Sequence, residues 1–233
     1  MNDYSEESTR SRRRQQGGPP LLLVGALVLG FFVVGTIVAA ALGGVTPNPL
    51  GPAGTVTDYY RHHSASVQAG AICLFAASVP LLIYAATASA RLRQLGITAP
   101  GATITLAGGV TASVMLSLSA LLGWALSRPE VTADDAVIHG LSTLSFLTGG
   151  VAHVVPLGLL LAGISVPALI VRLLPRPVAW AGLIIAGIAE LSTLSLIVPA
   201  LAILLPIARF PALIWLVVAG ALLPTQRQKA NAS

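Results

Sequence analysis

The chain has a single cysteine, Cys73, and it lies inside an apolar run, so an internal disulfide is excluded. Charge is almost as scarce. Asp, Glu, Lys and Arg make up 9% of the 233 residues, against 55% hydrophobic ones, whereas an ordinary soluble domain carries about 25% charged residues. So few charges cannot coat a water-soluble body of this size. Missing as well are the Gly-x-Ser-x-Gly, His-Glu-x-x-His, P-loop and dinucleotide fingerprints, and no pair of aspartates sits inside an apolar run. The expectation is a protein without enzymatic chemistry, catalytic residues or cofactor. The net charge of +5 does not argue for nucleic acid, because the basic residues are scattered at the ends of apolar runs instead of forming a patch.

Long apolar runs dominate what is there. A helix needs about 20 apolar residues to cross about 30 Å of hydrocarbon. Six runs qualify: Leu21 to Leu42, Ala65 to Ala88, Ala102 to Leu126, a stretch that follows "SRPEVTADDAVIH" and ends near Ile170, Val178 to Pro199, and Ile203 to Leu223. The sequence therefore predicts an all-α polytopic membrane protein, a bundle of six transmembrane helices over residues 21–223. A disordered basic tail is expected over 1–20 and a short tail over 224–233. The first run exceeds the roughly 7–15 residues of a signal-peptide core, so despite the small residues Ala39, Ala40 and Ala41 it reads as a retained span. The last run is interrupted by Pro199, Pro206 and Pro211. Starting it near Ile203 gives an adequate length, with Arg209 snorkelling to the outer interface; a half-crossing hairpin is the alternative.

Between the first two runs, "GGVTPNPLGPAGTV" reads as an exposed loop. Tyr59 and Tyr60 suit the aromatic belt at the membrane surface, as Trp124 and Trp180 do at opposite interfaces. Thr132 followed by Asp135 has the capping-box spacing that starts the fourth helix. Loops on the cytoplasmic side should be richer in Lys and Arg. Of the thirteen basic residues, Arg10, Arg12, Arg13, Arg14, Arg91, Arg93, Arg172, Arg176, Arg227 and Lys229 fall on one side, and Arg61, Arg128 and Arg209 on the other. Both termini are accordingly placed in the cytoplasm.

An ionisable group within a span costs about 2.5–3.5 kcal/mol on insertion scales and is by default a candidate site. His153 and Glu190 are the two clear cases. At 100° per residue, His139, Ser142, Phe146, Gly149 and His153 share a face of the fourth helix, and Gly182, Ala186, Glu190 and Thr193 share a face of the fifth. A short connection makes these helices antiparallel neighbours, so a hydrogen-bonded His153–Glu190 pair is expected. As helix glue, it fits a structural or interaction protein, the leading reading. As a proton relay, it fits a proton-coupled small-solute carrier. A third reading is a single haem or metal binder at the outer face. His139 and His153, fourteen residues apart, have the spacing of b-type cytochrome ligands. With only one such pair, the site would be an outer-face cluster of His62, His63 and His139, joined for zinc by Asp58 or Asp135. Ser113 and Ser117, with Gly109, read as a close helix contact, and "LSTLS" recurs at Leu141 to Ser145 and Leu191 to Ser195. The bilayer is the expected partner; no motif names a protein partner or a solute.

The segments "LLPRPVAWAGLIIAG" and "LLPIARFPALIWLVVAGALLP" resemble the C-terminal part of a family of uncharacterised bacterial six-span integral membrane proteins carrying a domain of unknown function. The resemblance rests on Pro175-Arg176 through Gly182-Leu183 and on Ile214-Trp215-Leu216. It implies a multi-pass protein of a bacterial cell membrane and carries over no activity, substrate or catalytic residue.

Overall fold

The computed structural model describes residues 18–49, 51–97 and 100–224. Most of the N-terminal tail and all but Pro224 of the C-terminal one therefore lie outside the described residues. Eight α-helices follow one another along them: α1 (Leu21–Gly43), α2 (Ala53–His62), α3 (Ser64–Gln94), α4 (Gly101–Ala125), α5 (Asp135–Gly149), α6 (Val151–Ile170), α7 (Arg176–Leu191) and α8 (Leu204–Leu222). Two 3-10 stretches, Ser192–Leu196 and Pro199–Ile203, join α7 to α8. Six segments are long and apolar enough to cross a membrane: α1, α3, α4, the combined stretch Asp135–Ile170, Arg176–Leu196 and Pro199–Leu222. The chain is an all-α, multi-pass membrane protein.

The six segments close into a ring in which α1 packs on α3, α3 on α4, α4 on α6, α6 on α7, α7 on α8 and α8 back on α1. In lipid there is little hydrophobic drive to bring helices together, so close backbone approach and interhelical hydrogen bonds do that work. Both are visible. A Cβ on Gly220 would lie 2.8 Å from the main chain of Leu21, and one on Gly108 would lie 2.6 Å from the Pro156 carbonyl. Tyr84 Oη donates to Leu216 O at 2.8 Å, Ser113 Oγ to Ser78 O at 2.7 Å, and Trp215 Nε1 to Val178 O at 2.7 Å.

Several expectations are corrected. α3 runs six residues past Ala88, because the stem of Arg91 is buried along the bundle and its Nη1 reaches Leu223 O at 3.5 Å. The loop after α1 contains a helix, α2, whose Val56, Tyr59 and Tyr60 bury against Leu126 and Ile138. Tyr59 and Tyr60 thus belong to a small core, not to a belt facing the membrane surface. The cap of α5 is Asp134, which accepts from the Ala136 amide at 2.7 Å; Thr132 instead turns its hydroxyl to Arg128 O, and Asp135 pairs with Arg61 at 2.6 Å. Arg61 also donates to Thr132 O, pinning α2 to the start of α5; exposed ion pairs of this kind contribute about 0.2–1 kcal/mol. The fourth segment is broken at Gly150, where the backbone leaves helical geometry at ψ −107°. The fifth tightens into 3-10 geometry after Leu191, so the second "LSTLS" copy is 3-10 from Ser192 on, whereas the first is α-helical throughout within α5. The last segment, Pro199–Leu222, is by its 24 residues and its composition a candidate crossing, in keeping with the expected sixth span.

Tyr60 gives a pH prediction for this cap. Burial, and then the neighbouring Tyr59, push its phenol up to about 12. A tyrosine in the unfolded chain ionises near pH ~10, so the folded state holds its proton longer and loses stability as pH rises from 10 through 12. Ultraviolet titration should show a phenol that ionises about two units late and is missing from Tyr60→Phe, with the thermal midpoint falling across that window in wild type and less in the variant. Titration of every tyrosine near pH 10 would contradict the burial.

Candidate functional site

Three side chains, Phe32, His153 and Arg209, and one main-chain carbonyl, that of Ala112, come from the middle of their segments. Phe32 is the central residue of Leu21–Gly43, and Ala112, His153 and Arg209 lie within two residues of the centres of Gly101–Ala125, Asp135–Ile170 and Pro199–Leu222. The break at Gly150 organises them. A Cβ on Gly149 would collide with the Ser119 hydroxyl, and one on Gly150 would lie 2.5 Å from Phe146 O and 3.2 Å from Leu205. Two glycines therefore let α5 end and α6 begin in a space that any side chain would overfill.

His153, in the first turn of α6, has no exposed surface, and its Nδ1 donates to Ala112 O on α4 at 2.8 Å. Its Nε2 is buried without a hydrogen-bond partner among the described residues. Arg209 extends from α8 into the break. Its Nη2 donates to Gly149 O, the last residue of α5; its guanidinium stands over the Phe32 ring at 5.5 Å; its Nε is buried and unpartnered. Arg209 and His153 meet the same break: Gly149 O accepts from Arg209, and Gly150 O accepts from the His153 amide at 3.2 Å. Arg209 is thus a partly exposed mid-span cation that reaches into the break with its Nε buried, where the sequence suggests snorkelling outward. A guanidinium over an aromatic face is attracted by about 0.5–2 kcal/mol. Phe32 also lines a cavity of about 350 Å³ between α1 and α3, which extends along Gly35, Thr36, Ala39 and Ala40 to the loop at Gly44–Thr46.

The expected His153–Glu190 hydrogen bond is not formed. Ala112 O takes one imidazole nitrogen and the other has no partner, while Glu190 is exposed on α7. The buried face of α7 carries Ala179, Gly182, Ala186 and Ala189, and of these Gly182, Ala186 and Ala189 meet α6 at Ser165 and Gly158. Glu190 stands one residue, about 100°, further round. The outer-face histidines do not assemble either. His62 and His63 donate through Nδ1 to carbonyls of their own helix, Asp58 O at 2.9 Å and Tyr59 O at 3.2 Å, and His139 sits on α5. Among the described residues no three of His, Cys, Asp and Glu are placed to hold a metal ion.

His153→Phe keeps the ring volume and removes the bond to α4. Interhelical hydrogen bonds in membranes average about 0.6 kcal/mol and reach about 1.7, so its thermal midpoint in detergent should fall slightly, and His153→Ala, which also opens a hole, should fall several times further. Equal losses would mean the imidazole holds the bundle by its bond and not by its bulk.

Compared with protein-family models, with curated proteins and with solved structures, the chain matches none.

Proposed function

We propose that this membrane protein serves a structural or interaction role, using the exposed face of α7 to bind another membrane helix. The observation that carries the reading is Glu190. It is exposed four residues past the centre of Arg176–Leu196, and Ala189 beside it packs at the depth of Gly158, where a Cβ would meet it at 2.8 Å. Hydrocarbon offers a carboxyl group no hydrogen bond, and intramembrane acids face protein or water. Gly187, where an added Cβ would meet nothing within 4 Å, leaves a notch one turn away, the kind of small residue at which helices approach closely. The partner helix is expected to bring a hydrogen-bond donor or a positive charge to that depth.

The cytoplasmic placement of both chain ends belongs to the same proposal. With Arg209 at mid-depth, ten basic residues remain on one side and two on the other, and that excess supports it.

In mild detergent the protein is expected to run as an assembly larger than its own 23.8 kDa. Glu190→Leu should return it to the single chain, and Glu190→Gln, which still hydrogen-bonds, should hold part of the assembly. A wild-type protein that runs alone, or an assembly indifferent to Glu190→Leu, would overturn the reading. A second reading, a solute carrier, is favoured by the break at Gly150: carriers build their sites where spans are interrupted near the midplane.

A further inference from the structure

We propose that Arg209 and His153 form a mid-membrane binding site for a small oxyanion that also carries a hydroxyl group, with Phe32 between this site and the cavity along α1. The proposal does not depend on what covers Glu190. It starts from charge. No carboxylate lies within salt-bridge distance of Arg209 among the described residues, where the ion pair is Arg61–Asp135. The carbonyl end of α5 carries about −0.5 of an elementary charge, but the amide end of α6 beside it carries about +0.5. The two ends at the break offset each other, and the guanidinium keeps nearly its full charge. Charges taken out of water are normally paired, and the described residues supply Arg209 with no counter-ion.

The unpartnered atoms specify what kind of counter-ion. Arg209 Nε–H is a donor, buried and unused, and so calls for an acceptor oxygen. His153 Nδ1 faces a carbonyl, which can only accept, so Nδ1 carries the proton and Nε2 of the neutral ring is a buried acceptor in want of a donor. A halide or a plain carboxylate answers the first need and not the second. A 2-hydroxycarboxylate answers both, with its carboxylate on Arg209 and its hydroxyl on His153. The cavity along α1 reaches Phe32, and the guanidinium stands over that same ring at 5.5 Å.

The test uses the full chain in detergent, with lactate and propionate as probes that differ by one hydroxyl, at constant ionic strength. Lactate is expected to raise the thermal midpoint saturably, at concentrations at least tenfold below those propionate requires. Arg209→Gln should abolish both responses, and His153→Phe should remove the advantage of lactate while leaving the propionate response. If Arg209→Gln does not fold, Arg209→Lys, which keeps the charge and loses Nε–H, should weaken both responses while His153 keeps lactate ahead of propionate. Equal responses in the wild-type protein, no response to either, a lactate response that survives at Arg209→Gln, or one undiminished at Arg209→Lys would each overturn the proposal.

Discussion

Gly163→Leu is expected to prevent the bundle from assembling, and even Gly163→Ala should cost about 1–3 kcal/mol, the usual penalty for overfilling a packed interior. A Cβ on Gly163 would lie 2.6 Å from the Thr105 amide nitrogen and 2.8 Å from Gly101 O. Those are main-chain atoms of α4, so no side chain can rotate away. Gly108 faces α6 in the same manner, 2.6 Å from Pro156 O and 2.7 Å from Leu160 N. Relief would require α4 and α6 to separate along their whole contact, and the His153–Ala112 bond lies on that contact. Gly30 is the control, because a Cβ there meets nothing within 4 Å. Alanine there should be neutral or stabilising by about 0.5–1 kcal/mol, since it removes the helix penalty of glycine. The measurement is the thermal midpoint in micelles together with the yield of folded protein. A Gly163→Ala protein as stable as Gly30→Ala would mean that α4 and α6 are not in backbone contact.

Much of the architecture was legible because hydrophobic length is a robust signal. α1 and α4 end within one residue of where the apolar runs end. What escaped has physical causes that can be named. Face arguments across the fourth segment assumed one unbroken helix, and the break at Gly150 resets the phase, so His153 turns to α4 and not toward α7. The Gly149-Gly150 pair was the available sign, but hydropathy runs on through it. α2 was hidden by the prolines and glycines before it, although Val56, Tyr59 and Tyr60 have the i, i+3, i+4 spacing of a buried face. Arg209 was read by its place among prolines, and only the tertiary fold shows a carbonyl, Gly149 O, left for it by a helix that stops inside the membrane. Glu190 lies on α7 one residue in phase away from the buried face that carries Ala186 and Ala189.

Trp215→Ala is expected to cost about 3–5 kcal/mol, the range for removing a large buried aromatic side chain. The indole is 4% exposed in the seam between α7 and α8 and donates to Val178 O. Gly182 makes room for it: a Cβ there would lie 2.6 Å from the ring and would also collide with the Ser165 hydroxyl. Gly182 and Trp215 come from the two sequence segments quoted above for a family resemblance, and the fold brings them into contact. Trp215→Phe separates the contributions, because it keeps most of the apolar volume and loses the N–H, for which about 1 kcal/mol is expected. Gly182→Ala approaches the same seam from the other side, by overfilling it. If ring and glycine fit each other as a unit, the double variant Gly182→Ala with Trp215→Phe should be less destabilised than the sum of the two single changes, because the smaller ring leaves room for the added methyl. Additive losses would mean that the two residues act independently, and that Trp215 is held by its bond to Val178 instead of by its fit against α7.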